Sequence, residues 1–199
     1  MLQISWTEAI GSITGLISVW LTVRNNVWCW LWGIVSVLVY AVVFFDARLY
    51  ADMALQLVFV GMNLFGWYEW LHPNASTSEQ PAKQRISSIP QQELLISLVS
   101  GGITGVALSI FLKRFTNAAV PEIDAALTAL SLVAVWMQAR KYRESWLVWL
   151  VADVLYVGLF FNRTLWLTGA LYLVFCLMAV LGWREWNHQM QQENALEHR

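Results

Sequence analysis

Trp146, Trp149, Asp153 and Tyr156 follow one another at spacings of three, four and three residues. On a helix that pattern sets two indoles, a carboxylate and a phenol along one face. Gln56, Asn63, Trp67 and Trp70, spaced by seven, four and three, make a second stripe. Aromatic faces attract positive charge through their ring quadrupoles, and a nearby carboxylate compensates it, so the two stripes could line one pocket that cages an organic cation. The amides of Gln56 and Asn63 would then read hydroxyls or ring nitrogens. A phosphorylated molecule fits poorly, because no Lys or Arg lies deep within any predicted helix. The expected substrate is dephosphorylated and either neutral or cationic.

The elements that must position these groups are membrane helices. Hydrophobic residues make up 58% of the 199 and charged residues only 13%, against about one quarter charged in an ordinary soluble domain. Apolar runs long enough to cross a bilayer core recur along the chain. Helices are predicted at 7–23, 28–45, 50–71, 93–112, 123–139, 146–161 and 164–186. Between the third and fourth, His72 to Gln92 is polar and carries Pro73, Pro81 and Pro90, the composition of a flexible connector.

Several function classes drop out. A net charge of -1, with no basic cluster interleaved with aromatics, gives nucleic acid nothing to bind. Cys29 and Cys176 lie in separate predicted helices without metal-ligand spacing, so neither a disulfide framework nor a zinc site is expected, and no cofactor is implied. A retinal receptor needs a Lys in its last helix, whereas Lys83, Lys113 and Lys141 all lie outside helix cores. His72, His188 and His198 fall in the connector or tail, leaving an intramembrane enzyme without a catalytic set.

Sliding the chain against itself by 116 residues aligns Trp20 with Trp136, Arg24 with Arg140, Trp30 with Trp146 and Tyr40 with Tyr156. In the same register Gly66-Trp67 meets Gly182-Trp183, and Glu69 and Trp70 meet Glu185 and Trp186. Residues 5–70 contain 22 identities at this offset. Matched Trp, Gly, Arg and Glu at one fixed offset mark a duplication. Four crossings separate the copies, so both insert with the same orientation, as in transporters built from parallel repeats with a central site. The domains expected are a first three-helix repeat at 1–71, a polar cytoplasmic connector at 72–92, a linking helix at 93–112, a second repeat at 113–187 and a polar cytoplasmic tail at 188–199. The fold class is therefore an all-α membrane protein with seven transmembrane helices in a 3+1+3 parallel repeat. Ser97, Gly101, Gly105 and Ser109 give the linking helix a row of small side chains suited to close packing. Gly11 and Gly15 form a weaker version in the first helix.

Where the copies differ in polarity at membrane depth, an asymmetric substrate has something to contact. Asp153 stands opposite Val37, Gln56 opposite Tyr172 and Asn63 opposite Ala179. A carboxylate at mid-membrane costs at least roughly 2.5–3.5 kcal/mol on insertion scales, so Asp153 must face a cavity or a partner. Gln56, Asn63, Trp146, Trp149, Asp153, Tyr156 and Tyr172 are the expected substrate contacts. Trp28, Trp32, Trp67, Trp70, Trp183 and Trp186, near helix ends, read as interfacial belt or packing residues. Lys and Arg on alternate sides number eight (Arg24, Lys83, Arg85, Arg140, Lys141, Arg143, Arg184, Arg199) against four (Arg48, Lys113, Arg114, Arg163). The positive-inside rule then puts the C-terminus in the cytoplasm and the N-terminus outside.

These residues resemble the PnuC family of bacterial vitamin transporters. The likeness runs through residues 6–11, through Leu49-Tyr50-Ala51-Asp52-Met53-Ala54-Leu55-Gln56 and Gly66-Trp67-Tyr68-Glu69-Trp70, then Arg140-Lys141-Tyr142, residues 144–149 and Asp153. It implies a fold akin to the SWEET sugar transporters, a multi-pass protein of the bacterial cytoplasmic (inner) membrane, and a homotrimer. It also implies uptake of nicotinamide riboside by facilitated diffusion, with trapping by a cytoplasmic kinase; thiamine or another dephosphorylated vitamin is the alternative cargo. Gln56, Trp146 and Trp149 occupy positions the family associates with substrate, and Asp153 stands where relatives carry Asn.

Overall fold

A computed structural model describes residues 6–46, 48, 50–72, 85–116, 120–162 and 166–197. Residues 73–84 of the connector, and with them Lys83, as well as Arg163, His198 and Arg199, lie outside the described residues. Among the described residues seven helices follow in order: α1 (Trp6–Val23), α2 (Cys29–Asp46), α3 (Tyr50–Leu71), α4 (Gln91–Phe115), α5 (Pro121–Ala139), α6 (Ser145–Asn162) and α7 (Trp166–Glu197). No strand occurs among the described residues.

Local chemistry explains the ends. Pro90 and Pro121 sit at the starts of α4 and α5, where a missing N–H costs nothing and the fixed φ favours the first turn. Glu122 and Asp124 in the first turn of α5, and Lys113 and Arg114 in the last of α4, oppose the helix dipoles. Two residues past the ends of α1 and α5 stands a left-handed residue, Asn25 at φ 52° and Lys141 at φ 56°. These positions are 116 residues apart, and the turns match bond for bond. Asn25 N–H reaches Thr22 O at 2.9 Å and Lys141 N–H reaches Gln138 O at 3.0 Å.

Five helical stretches are long and apolar enough to cross a membrane: Cys29–Asp46, Gln91–Phe115, Pro121–Ala139, Ser145–Asn162 and Thr168–Leu196. α1 contributes a shorter apolar stretch, Ala9–Val23. α3 is long enough, but Asp52, Gln56, Asn63 and Glu69 lower its hydropathy. Large apolar side chains cover the outside, on α4 above all, where Leu95, Ile96, Leu98, Ile103 and Val106 are more than 60% exposed. Such a surface suits hydrocarbon and not water. The chain is a multi-pass, all-helical membrane protein.

Contacts run from α1 to α2, α2 to α3, α3 to α5, α5 to α6, α6 to α7 and α7 back to α1, a closed ring. α4 stands outside it, against α5. Its small residues make that approach possible: a Cβ on Gly101 would come to 2.9 Å from Val133, and one on Gly105 to 3.5 Å from Ala129.

Two expectations need correction. The last helix does not end near residue 186 but continues to Glu197, through the segment expected to be a tail. Its Gln, Met, Ala, Leu and Glu residues are good helix formers although the segment is mostly polar, and the extension is tied to the ring by Asn25 Nδ2 donating to Gln189 Oε1 at 3.3 Å and by Arg143 donating to Asn187 Oδ1 at 2.5 Å. The connector also docks before α4 begins. Ile86 is buried, Ser87 N–H donates to Lys141 O at 3.1 Å and Arg143 N–H to Ser87 O at 3.0 Å, and Ile89 N–H donates to Glu144 at 3.0 Å. Tyr142 completes the dock by donating to Glu93 at 2.7 Å. Burial and the adjacent Glu93 carboxylate push its hydroxyl up to about 12, so it keeps its proton at neutral pH.

Candidate transport site

The site is built on a floor of four indoles. Trp30 meets Trp70 edge to face, with ring centroids 5.4 Å apart and planes at 90°. At the equivalent place in the second half Trp146 meets Trp186 at 5.5 Å and 88°. Trp70 and Trp186 join the pairs at 6.3 Å. All four are buried. Gly66 and Gly182, one turn before Trp70 and Trp186, make this possible, because a Cβ on either would overlap the ring of Trp30 or Trp146.

The hydrogen bonds of the floor cross between halves. Trp186 Nε1 donates to Thr22 O at 3.1 Å, while Trp70 Nε1 is shared between Gln138 O at 3.2 Å and Ala139 O at 3.1 Å. Thr22 and Gln138 are themselves 116 residues apart. Lys141 lays its ammonium 4.3 Å from the centroid of the Trp70 ring, a cation–π contact on the outer side of the floor.

Above the floor the ring encloses a cavity of about 470 Å³, within the usual range for a small-molecule site. Gln56, Asn63, Trp146, Trp149, Asp153, Tyr156 and Tyr172 all line it. Tyr156 and Tyr172 lie with ring centroids 4.6 Å apart, and Phe160 stacks on Tyr156 at 5.8 Å, giving an aromatic wall on α6 and α7. Asp153, one turn before Tyr156, is buried and is the one Asp or Glu among the described lining residues, which include no Lys, Arg or His. Asn63 donates to Phe59 O at 2.8 Å, and its Oδ1 occupies the notch left by Gly33. Trp149 Nε1 donates to Gln138 Oε1 at 2.7 Å.

The third-helix stripe divides. Gln56 and Asn63 face the cavity, whereas Trp67 and Trp70 are not among its lining residues. Trp67 packs toward Trp28, with centroids 6.5 Å apart, and Trp70 belongs to the floor. The six Trp read as belt or packing residues likewise separate into the buried Trp70 and Trp186, the half-buried Trp67 and Trp183, and the exposed Trp28 and Trp32. Glu69 pairs with Arg140 at 3.9 Å across the halves.

Several lining residues escaped the sequence reading. Tyr40 shares a 2.9 Å hydrogen bond with Ser12, and Ser36 donates to Gly11 O at 2.8 Å. Tyr40 is the repeat mate of Tyr156, and that correspondence was the available signal. Gln138, the mate of Thr22, carried a similar one. Gly11 and Gly15 fit close packing, since a Cβ would come to 2.9 Å from the Tyr40 ring and 3.2 Å from Ser36 Oγ. Both glycines also line the cavity.

The family described as nicotinamide mononucleotide transporter matches residues 5–188, nearly the whole ring and its floor. The chain belongs to this family. Among similar proteins, the nicotinamide riboside transporter PnuC of Escherichia coli (strain K12) is 28% identical over 98% of this chain and 92% of its own length. The riboflavin/roseoflavin transporter RibM of Streptomyces davaonensis is also 28% identical, over 92% of this chain and 85% of its own. The crystal structure of the vitamin B3 transporter PnuC superposes with a TM-score of 0.75, at 21% identity, covering 94% of this chain and 83% of that one. The chain is thus a membrane transporter and not an enzyme, and the cavity is the candidate site for its cargo.

Proposed function

We propose that this chain takes up nicotinamide riboside by facilitated diffusion. The observation that carries the reading is the lining of the cavity: aromatic side chains, Trp146, Trp149, Tyr156 and Tyr172 among them, with one carboxylate, Asp153, and the amides of Gln56 and Asn63 from α3. Nicotinamide riboside is a ring cation with hydroxyls and an amide. Aromatic faces and Asp153 suit the charged ring, and the two amides suit the polar groups. A mononucleotide is disfavoured because its phosphate would face Asp153 without an Arg or Lys to pair with. Uptake would then be drawn inward by cytoplasmic phosphorylation, whose product no longer fits the cavity.

In this reading all seven helices cross the bacterial inner membrane, with the N-terminus outside and the C-terminus cytoplasmic, in a SWEET-like 3+1+3 arrangement. The domains are the two triplets at 1–71 and 113–187, the connector at 72–92, the linking helix at 93–112 and the cytoplasmic segment at 188–199, and the chain works as a homotrimer. Crossed Trp–carbonyl bonds at Thr22 and Gln138 support equivalence of the triplets. The alternative cargo, in place of nicotinamide riboside, is the neutral riboflavin, favoured by the 28% identity to a riboflavin carrier.

The experiment is calorimetric titration of detergent-purified protein with nicotinamide riboside, thiamine and riboflavin separately. Tight binding of nicotinamide riboside alone is expected. Preference for riboflavin would overturn the cationic reading, and accumulation above equilibrium in vesicles under an imposed proton or sodium gradient would overturn facilitated diffusion.

A further inference from the structure

The two halves of the ring differ at the same level of the cavity by a set of three exchanges. Where α1 and α2 carry Thr22 and Gly33, α5 and α6 carry Gln138 and Trp149, and the partner position changes from Asn63 on α3 to Ala179 on α7. In the first half the Gly33 notch admits the Asn63 amide. In the second half a large indole stands at the glycine position, a methyl at the amide position, and the residue at the end of α5 has become long enough to reach that indole. Gln138 Oε1 accepts from Trp149 Nε1 at 2.7 Å. Its Nε2 donates across the ring to Thr22 Oγ1 at 3.4 Å, and its backbone carbonyl accepts from Trp70 on α3.

From this geometry we infer that Gln138 is a positioning residue for transport: it fixes the plane of the Trp149 indole at the cavity wall and ties that wall to Thr22, at the joint between the two halves. The indole ring has a single N–H and two rotatable bonds between it and the backbone, so an acceptor at that N–H selects among its ring orientations. A short α5 residue could not reach it. Gln138 uses its acceptor on the indole and one of its donors on the opposite half, the two-sided capacity that only an amide side chain has at this length. Cargo resting on Trp149 is thereby in contact, through two hydrogen bonds, with the backbone turn that receives Trp186 from α7.

The inference rests on the proposed transport reading, and its test separates the two. Dissociation constants for nicotinamide riboside, thiamine and riboflavin are measured on the wild type, Gln138→Met, Trp149→Phe and the double variant, alongside thermal midpoints without ligand. Gln138→Met, of nearly equal volume, is expected to weaken binding of the preferred cargo about tenfold, the equivalent of one net hydrogen bond. The double variant should bind no more than about twofold worse than the weaker single, because both singles remove the same bond. Ligand-free midpoints should fall for Gln138→Met, as for the loss of any buried hydrogen bond; the positioning role is read in a loss of affinity that is larger for the preferred cargo than for the other two ligands, which a merely structural glutamine would not give. Equal binding by Gln138→Met and wild type, or losses that multiply in the double variant, would overturn the role of Gln138 and leave the transport reading standing. A wild type that binds none of the three overturns both. Should Gln138→Met not fold, Thr22→Val removes the far bond, together with the local bond from Thr22 Oγ1 to Ser18 O, and keeps the bond between Gln138 and Trp149; a loss of about threefold supports the tie, and unchanged affinity overturns it.

Discussion

The floor and the walls of the cavity come from the same duplicated segments yet follow opposite rules. In the floor the copies agree: Trp30 and Trp146, Gly66 and Gly182, Trp70 and Trp186 repeat both in residue type and in ring geometry. In the walls they part, with Val37 against Asp153, Gln56 against Tyr172, Asn63 against Ala179 and Gly33 against Trp149. A joint between two equivalent bodies is satisfied by symmetric contacts, because each half offers the other the same surface. A small cargo has no such symmetry, so its contacts must differ from side to side. In the proposed reading, symmetry marks the mechanical part of the protein, and its loss marks the part that recognises cargo.

The sharpest test of the symmetric part is steric. Gly66→Ala and Gly182→Ala should each lower stability by about 3 kcal/mol, the upper range for overpacking, as read by thermal unfolding in detergent; a large effect at one glycine and none at the other would break the equivalence. For the asymmetric part, Asp153→Val copies the first half into the second. It should weaken binding of a cationic vitamin by about 30-fold, close to 2 kcal/mol for a desolvated cation that loses its carboxylate and keeps its aromatic faces, with folding intact. Unchanged affinity in titration calorimetry would remove Asp153 from recognition.

Smaller effects refine the picture. Trp186→Phe leaves the Thr22 carbonyl without its indole donor and should cost about 1 kcal/mol; Trp70→Phe should cost slightly more, since Lys141 also rests on that ring. Equal melting of both variants and wild type would show the crossed bonds to be incidental. Arg140→Ala, which removes a half-exposed 3.9 Å pairing with Glu69, should change stability by less than about 0.5 kcal/mol. A larger shift would make that ion pair part of the joint.

The seven helices and the duplication were legible because both are periodic signals along the chain. Apolar runs of bilayer length stand out in a sequence with so few charges, and an offset of 116 survives any uncertainty at helix ends. The seven expected cargo contacts all reached one cavity because period and polarity select a helix face before any packing is known. The tryptophans were less legible. An indole near a helix end satisfies a membrane interface and a buried joint equally well, and nothing in the spacing of Trp67 and Trp70 shows that one packs toward Trp28 while the other closes the floor. The mostly polar residues from 188 on read as tail because hydropathy reports burial in lipid, whereas helix formation needs only backbone propensity and a few anchors.

By itself the sequence determined the class of this protein, the order of the helices seen among the described residues, and the positions at which identities at an offset of 116 are kept or broken, since each is a property of order and composition along one line. Tertiary structure alone decided that Trp70 and Trp186 exchange hydrogen bonds across the halves, that Gly33 yields its space to Asn63, and that Gln138 holds Trp149. Those facts depend on which atoms from distant parts of the chain arrive within 3 to 4 Å of one another, and hydrogen bonds and steric contact have no reach beyond that distance.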